Sequence, residues 1–278
     1  MKKEPWLLID CPYMAWRAHY TTGSLSHKGR PTGVLYGFFH SLHNIQSFLS
    51  VSRVAFCFDG LTNLRKAVYP DYKGNRQSSD PMKEAMFYEV HQQIDGLKKW
   101  LPKLGFRNVF CQEGYEADDL IASLVKQYTE REFIILSSDK DLYQLLRPGV
   151  WIWNPVSQKS ITVESFQEEW GISPDWWAWV KAIAGCKTDN IPGISGVREK
   201  TAVKYLLGKT SEKQTQKIGT LQYDMLAKNL PLVTIPLPGL APMELRPDEV
   251  TAKKWRSFCE WKGMKSLTKL NWKGLLYG

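Results

Sequence analysis

Eight acidic residues of this chain stand in short clusters that follow apolar runs of strand length. Carboxylates gathered at the carboxyl ends of buried strands repel one another at neutral pH, so a positive group is expected among them. Hard divalent cations such as Mg²⁺ and Mn²⁺ suit that place, because they prefer oxygen ligands and keep waters that a phosphate can displace. The eight residues are Asp10, Asp59, Glu116, Asp118, Asp119, Asp139, Asp141 and Asp189.

The alternation of apolar runs with amphipathic segments of helix length predicts an α/β fold with a parallel-type central sheet flanked by helices. In such sheets the ligand site lies outside the carboxyl ends of the strands, which is where Asp10, Asp59 and Asp139 fall. Asp139 and Asp141 are expected to project from one side of an extended strand end. The predicted strands are 6–9, 54–58, 108–111 and 133–136, with a hairpin at 151–162 and helices at 33–50, 81–104, 117–128, 174–184 and 199–207.

Three segments lack a clear strand or helix period. Residues 60–80 are polar, basic and aromatic, so this stretch is predicted to be exposed and mobile. Residues 207–219 have the composition of a polar linker, and the Pro-rich stretch 232–240 is predicted to be extended. A final helix is predicted at 253–267.

The charge balance points to a polyanionic partner. The chain has 37 Lys and Arg against 28 Asp and Glu, a net charge of +9. Since many of the acids are clustered, the remaining surface is strongly basic, which suits nucleic acid. A membrane partner is not expected, because the sequence has no long apolar span and no basic amphipathic helix. Five widely spaced cysteines predict free thiols, and the short apolar run near the amino terminus predicts no signal peptide and a cytoplasmic protein.

Seven motifs, in matching order, resemble those of the flap endonuclease or 5′-3′ exonuclease family of structure-specific nucleases. The resemblance covers about residues 5–207 and is of the standalone bacterial or phage type. The motifs are LLIDCPYMAWRAHY, HKGRPTGVLYGF, VAFCFDG, YPDYKGNR, GYEADDLIASL, ILSSDKDLYQLL and DNIPGISGVREKTA.

The resemblance implies an α/β nuclease domain at 1–170 with a helical arch at about 60–90. It also implies a helical subdomain with a helix-hairpin-helix at 171–278, and no polymerase domain is expected after it. The implied activity is hydrolysis of DNA at 5′ flaps, nicks and 5′ ends, giving 5′-phosphate and 3′-hydroxyl products. The implied substrate is branched or nicked double-stranded DNA with a 5′ single-stranded flap.

The same resemblance implies two ions of Mg²⁺ or Mn²⁺. Asp10, Asp59, Glu116 and Asp118 match the ligands of the first, and Asp119, Asp139, Asp141 and Asp189 match the second group. Without the resemblance, the three acids of EADD at 116–119 are explained equally well as ordinary capping of a helix amino terminus.

Cys186 departs from the family pattern, which usually has Asp at that position. A thiol is a poor ligand for Mg²⁺, so the second site is expected to bind metal more weakly. The alternative is that Cys186 is simply buried and the missing carboxylate was an outer-shell group. Both interpretations stand at this point.

The remaining site residues implied by the resemblance contact DNA or the reacting phosphate. Arg65, Lys73 and Arg76 are expected to act in catalysis from the arch, with Lys73 and Arg76 on one helix face. A K⁺ ion is implied at the hairpin carbonyls of Ile194 and Val197, and Arg198 stands where many relatives have a third Gly. The expected DNA-binding residues are Arg17, Lys28, Arg30, Tyr72, Gly193, Gly196, Arg198, Lys200 and Thr201.

Three other functions remain open from the sequence. A catalytically weakened DNA-junction binding protein is the main alternative, motivated by Cys186. A nuclease directed at RNA is the second, although the sequence offers no residue identifiable as a reader of the 2′-hydroxyl. A phosphatase-like enzyme is the third, and it does not explain the basic arch and the hairpin together. A monomer is the default expectation.

Overall fold

The computed structural model describes residues 4–76 and 79–270. The strands are β1 (Trp6–Asp10), β2 (Ser26–His27), β3 (Arg30–Pro31), β4 (Arg53–Phe58), β5 (Val109–Cys111), β6 (Phe133–Leu136), β7 (Val150–Asn154) and β8 (Lys159–Ile161). The α-helices are α1 (Cys11–Thr22), α2 (Gly33–Leu49), α3 (Arg65–Val68), α4 (Pro81–Leu104), α5 (Ala117–Gln127), α6 (Val163–Trp170), α7 (Trp177–Ala184), α8 (Glu199–Leu206), α9 (Glu212–Val233) and α10 (Ala252–Trp261). Short 3₁₀ turns cover Gly74–Arg76, Lys140–Leu145, Pro174–Trp176, Lys187–Asp189 and Lys265–Lys269.

Six of the strands form one sheet in the order β5-β4-β1-β6-β7-β8. All neighbouring pairs are parallel except β7 and β8, which form the antiparallel hairpin at the sheet edge. The predicted α/β fold with a parallel-type sheet is therefore confirmed. Because β4, β1 and β6 are adjacent, their carboxyl ends open onto one shared edge of the sheet.

Alternate residues of β1 pack into two different hydrophobic layers, one on each face of the sheet. Leu8 is buried in one layer, which contains α5, α7, α8 and α9. Leu7 and Ile9 are buried in the other, which contains α1, α2, α4 and α10. Both faces of β1 are thus covered by helices, as expected for a parallel sheet.

The hydrophobic layer on the side of α5 continues across residue 170. Phe166 and Trp170 before that position pack in the same cluster as Trp177 and Val180 after it. The division into domains at 1–170 and 171–278 remains a prediction, and its last eight residues lie outside the described part of the chain.

The linker predicted at 207–219 is wrong, because most of it belongs to the long helix α9. The Oγ of Ser211 accepts a hydrogen bond from the amide of Gln214 and caps the helix at its amino end. The first half of α9 is largely exposed, and Ile218 is its one fully buried side chain there. A polar helix of that kind has little apolar period for sequence reasoning to detect.

The prediction that residues 60–80 are exposed is also wrong for two of its side chains. Arg65 is 1% exposed and Tyr72 is 3% exposed, and both are held by buried acids. The segment contains the short helix α3 and a 3₁₀ turn at Gly74–Arg76, while residues 77–78 lie outside the described chain. No helix among the described residues has the length and apolar character needed to cross a membrane.

Candidate metal and nucleic-acid site

Three adjacent strands bring acidic residues to one cleft. Asp10 ends β1, Asp59 follows β4, and Asp139 lies shortly after β6. The cleft has a volume of about 1770 Å³ and is also lined by Glu116 and Asp118 at the start of α5. Five of the eight predicted metal ligands therefore line a single cleft.

Asp10 is both the last residue of β1 and the cap of α1. Its Oδ1 accepts a hydrogen bond from the amide of Tyr13 at 3.1 Å, and its Oδ2 accepts one from the Ser137 hydroxyl at 2.9 Å. Burial, followed by repulsion from Asp59 and Asp139, raises the pKa of Asp10 to about 7. The helix α1 was not predicted, although Pro12 at its first turn is a common start signal.

Asp59 and Asp118 share this electrostatic environment. Burial and repulsion from Glu116 raise the pKa of both carboxyls, with a further contribution from Asp119 at Asp118. The Oδ1 of Asp59 accepts a hydrogen bond from the amide of Ala117 at 2.8 Å, which joins the end of β4 to the start of α5.

The cleft carboxylates are short of positive partners. Within residues 4–76 and 79–270, no Lys, Arg or His nitrogen lies within 4.0 Å of a carboxylate oxygen of Asp10, Asp59, Asp118 or Asp139. Burial is the largest cause of the raised pKa values of Asp10, Asp59 and Asp118, and repulsion from neighbouring carboxylates adds to it, while more distant cations such as Lys73 offset only part of the increase at Asp59 and Asp118. A divalent cation with oxygen ligands fits such a group.

Glu116, unlike Asp10, Asp59, Asp118 and Asp139, has cations of the described residues beside its carboxylate. It accepts hydrogen bonds from the ammonium of Lys73 and from the Tyr72 hydroxyl, the latter at 2.7 Å, and Arg65 Nη1 lies 3.3 Å away. Burial alone would raise the pKa of Glu116, but Lys73 and Arg65 hold it below its usual value. Glu116 is therefore ionised and already partly neutralised.

Asp119 is not among the residues that line the cleft, although one of its carboxylate oxygens lies within 4.8 Å of ligand atoms of Glu116 and Asp118, so its role as a metal ligand stays a prediction. It is fully buried and receives both Arg65 guanidinium nitrogens, at 2.6 and 2.8 Å. The amides of Glu116 and Leu237 donate to the same carboxylate at 3.1 and 2.9 Å. Through these bonds Asp119 connects α5 to Arg65 in the Gly60–Arg76 region. Its hydrogen bond from the Glu116 amide is the one expected of a capping residue at the start of a helix.

Asp139 and Asp141 do not project from one side of a strand end. The strand β6 ends at Leu136, and Asp139 caps the following 3₁₀ turn by accepting the amide of Asp141 at 2.8 Å. Asp139 is exposed to the cleft, whereas Asp141 is buried beside Lys181, whose Nζ lies 3.0 Å from Asp141 Oδ1. In a strand, side chains two residues apart point to the same side, whereas in a turn such as this one they point in different directions.

Asp141 belongs to a second group with Cys186 and Asp189, whose ligand atoms lie within 4.8 Å of one another. The Cys186 thiol lies 3.4 Å from Asp189 Oδ2 and 3.1 Å from the Thr188 hydroxyl. Burial and the neighbouring Asp189 raise the pKa of the Cys186 thiol, so the thiol is protonated at neutral pH. Cys186 is therefore buried inside this group, and both predicted consequences of its position remain compatible with the structure.

Lys73 and Arg76 converge on one carboxylate without sharing a helix face. Lys73 has a left-handed backbone (φ 55°), and Gly74–Arg76 is a single 3₁₀ turn. Arg76 Nη2 lies 2.7 Å from Asp189 Oδ1, and Lys73 Nζ lies 3.9 Å from the same atom. Both side chains also line the cleft.

One wall of the cleft was not anticipated. Six residues of α4 line it at helical spacing, and Lys98 among them donates to the Asp59 carbonyl at 3.1 Å. Their spacing of three and four residues was a visible signal in the sequence. Trp16 of α1 completes the wall, with its ring 4.9 Å from that of Phe87. The six residues of α4 are Glu84, Phe87, His91, Ile94, Asp95 and Lys98.

The helix-hairpin-helix is formed by α7, a connecting loop and α8. Gly193 lies so close to the end of α7 that a Cβ there would come within 2.1 Å of the Ala184 carbonyl oxygen. Gly196 has a φ of +77° in the turn where the Val197 amide donates to the Ile194 carbonyl at 2.9 Å. Arg198 caps α8 and is exposed, Lys200 is exposed, and Thr201 is half-buried in the first turn.

The residues near the amino terminus that were predicted to bind DNA lie in two different places. Lys28 and Arg30 are exposed at the tip of the β2-β3 ribbon, where Lys28 and Gly29 both have positive φ. Arg17 lies on α1 and donates to the Ser41 hydroxyl and the Pro155 carbonyl, each at 3.4 Å. Of the tryptophans near α7, Trp170 and Trp177 are buried in the core, whereas Trp176 and Trp179 are 44% and 46% exposed.

The family model described as the 5′-3′ exonuclease, N-terminal resolvase-like domain, matches residues 5–171. The chain is 31% identical over 215 residues to the 5′-3′ exonuclease of Buchnera aphidicola, an alignment that covers 76% of this chain and 72% of that protein. It is 35% identical over 204 residues to the thermostable DNA polymerase I of Thermus aquaticus, covering 72% of this chain and 23% of the polymerase. The chain thus spans less than a quarter of the polymerase.

Among solved structures, the chain is similar to a flap endonuclease of bacteriophage T5 in a pseudo-enzyme-product complex with DNA and metal ions. The TM-score is 0.69 at 19% sequence identity, and the match covers 82% of this chain and 88% of that one. At this identity the likeness concerns the fold, and a coverage of 82% means that it extends into the region beyond residue 171.

Proposed function

The chain belongs to the 5′-3′ exonuclease family, and from that membership we propose that it is a metal-dependent, structure-specific 5′ nuclease of DNA. It hydrolyses phosphodiester bonds at 5′ flaps, nicks and 5′ ends, leaving a 5′ phosphate and a 3′ hydroxyl. The observation that carries this proposal is a group of four cleft carboxylates that have no cationic nitrogen of the described residues within 4.0 Å, namely Asp10, Asp59, Asp118 and Asp139.

These four carboxylates, with Glu116, are the residues that hold a divalent ion, Mg²⁺ or Mn²⁺. Such an ion supplies Lewis-acid activation of the phosphodiester and of the attacking water. The protein orients the ligands in advance: Ser137 and the Tyr13 amide hold Asp10, and the Ala117 amide holds Asp59. Ligands fixed by hydrogen bonds lose little freedom when the ion binds.

The basic side chains of the cleft receive the phosphate backbone. Lys73 and Arg76 lie beside the acids, and Lys66 and Lys98 line the same cleft. Cations placed next to the reacting phosphodiester offset the negative charge that accumulates in the transition state. Trp16 and Phe87 on the cleft wall supply apolar surface against which a base of the single strand packs.

The helix-hairpin-helix of α7 and α8 binds the duplex part of the DNA, outside the cleft. The exposed side chains of Arg198 and Lys200 stand at the amino end of α8, where free amides and the helix dipole favour a phosphate. The carbonyls of Ile194 and Val197 are the proposed K⁺ ligands. Lys28 and Arg30 on the β2-β3 ribbon give a second basic contact, and the protein acts as a monomer.

The test uses a labelled 5′-flap duplex incubated with the protein in Mg²⁺, in Mn²⁺ and in EDTA. Cleavage near the junction is expected with either metal and not in EDTA. Asp118→Ala is expected to abolish cleavage while DNA binding persists, and Asp224→Ala, an exposed acid of α9, is the control. Binding without cleavage by the unaltered protein in both metals would instead favour the junction-binding alternative.

A further inference from the structure

The second acidic group is enclosed by cations of the protein itself. Lys181 on α7 has a side chain only 7% exposed, and its Nζ lies 3.0 Å from Asp141 Oδ1 and 3.6 Å from Glu199 Oε1. On the other side of the group, Asp189 receives Arg76 at 2.7 Å and Lys73 at 3.9 Å. Its two carboxylates therefore face three protein cations.

Cys186 occupies the third ligand position of this group. Its thiol contacts Asp189 and Thr188, so its place is filled by a neutral, soft atom. Mg²⁺ and Mn²⁺ bind carboxylate, carbonyl and water oxygens in preference to sulfur. The group thus offers two hard ligands, Asp141 and Asp189, both already paired with protein cations.

A divalent ion that entered this group would separate Lys181 from Asp141. Lys181 is buried within α7, and removing Asp141 as its partner would leave a buried ammonium whose one remaining ion-pair partner among the described residues is Glu199, at 3.6 Å. Breaking a buried ion pair in that way is strongly unfavourable. The cleft group differs, because Asp10, Asp59, Asp118 and Asp139 have no such partner among the described residues.

We propose that this chain holds a single divalent ion, in the cleft group, and that Lys181 together with Cys186 replaces the second ion at the group of Asp141, Cys186 and Asp189. This inference rests on the proposed function for the cleft ion. It differs from the sequence-based expectation of two ions, and it assigns to Lys181 a positioning role that no motif indicated.

The contact of Lys181 with Glu199 extends this role to the DNA-binding hairpin. Glu199 is the first residue of α8, and its carboxylate also lies 3.0 Å from Lys140 Nζ. Lys181 thereby ties the turn after β6 to the helix that carries Arg198 and Lys200. Because Lys181 belongs to the protein, this connection between Asp141 and Glu199 does not depend on the metal concentration.

The test counts bound ions with the protein alone, by electron paramagnetic resonance of free Mn²⁺ during titration. The unaltered protein is expected to bind one ion, Asp118→Ala to bind none, and the double variant Lys181→Met with Cys186→Asp to bind two. Lys187→Met is the matched control, because it removes an exposed positive charge next to the group without breaking an ion pair, and it is expected to bind one ion.

Cys186→Asp alone serves if the double variant does not fold, and it is expected to gain a weaker second ion. Two ions of similar affinity on the unaltered protein would overturn the inference and leave the proposed nuclease function standing. A count that stays at one in both Cys186→Asp and the folded double variant would overturn the roles of Lys181 and Cys186. No ion on the unaltered protein would overturn both the inference and the proposed cleft site.

Discussion

Arg65 and Asp119 form a two-point ion pair in the interior, with Nη1–Oδ2 and Nη2–Oδ1 distances of 2.6 and 2.8 Å. Arg65 also donates through Nε to the Leu232 carbonyl at 2.8 Å, so it joins α5, its own short helix and the end of α9. The arginine for which the family resemblance implies a catalytic role is thus buried beside Glu116, at 3.3 Å, and that role stays a prediction.

Arg65→Met is expected to destabilise the protein by about 3–5 kcal/mol, because Asp119 would remain buried without its partner. Urea unfolding followed by circular dichroism measures this loss. Lys66→Met, at the exposed neighbouring position, is expected to change stability by less than about 0.5 kcal/mol. A loss below 1 kcal/mol for Arg65→Met would show that the pair is not formed in solution.

Lys73→Met is expected to lower the cleavage rate about 10²- to 10³-fold while flap binding changes by only a few-fold, since the lysine acts on charge that develops during reaction. Single-turnover cleavage and a separate binding titration in Ca²⁺ distinguish the two effects. Lys209→Met, exposed and remote from the cleft lining, is the control for loss of one positive charge. Equal losses in binding and cleavage would mean that Lys73 only attracts DNA.

Asp10→Asn is expected to stabilise the metal-free protein at pH 8. The pKa of Asp10 is raised to about 7 in the folded state from 3.8, chiefly by burial. The folded state therefore holds more protons between these two values, and its stability falls as pH rises through that window. The amide removes this penalty, so the midpoint in EDTA should rise by about 2–4 °C or more at pH 8 and little at pH 4. Destabilisation at pH 8 would contradict this account of the site.

Mn²⁺ is expected to raise the thermal midpoint of the unaltered protein more at pH 8 than at pH 5.5. Protons compete with the ion for Asp10, Asp59 and Asp118, whose pKa values are all raised by burial and by repulsion from neighbouring carboxylates. Differential scanning fluorimetry at both pH values, with and without Mn²⁺, measures the difference. An equal shift at both pH values would place the ion at other ligands.

Gly193→Ala is expected to weaken duplex binding and to lower stability, because the new methyl group would lie 2.1 Å from the Ala184 carbonyl oxygen and force the hairpin apart. Gly208→Ala is the control. Gly208 has a positive φ but no heavy atom within 4 Å of the added Cβ, so only the backbone cost of about 1 kcal/mol applies. Similar effects of the two changes on DNA binding would exclude tight packing at Gly193 as the cause.

The elements that the sequence predicted well are those with a strong local period. The four predicted strands and the helix starting at Pro81 agree with the structure to within one residue. Buried strands and amphipathic helices can be recognised from the local spacing of their apolar residues. The helix α9 was missed because its exposed first half has no apolar face of its own. It is held by packing at its other end, where Leu232 and Val233 are buried.

By itself, the sequence determined the parallel sheet and the placing of acids after its strands, since both follow from patterns within a few neighbouring residues. Only the tertiary structure decided which acids face the cleft and which are neutralised. Arg65 with Asp119, and Lys181 with Asp141, are pairs between residues far apart in the chain, brought together by the packing of α-helices on the sheet. The charge of a site depends on such long-range pairing, and the order of residues does not specify it.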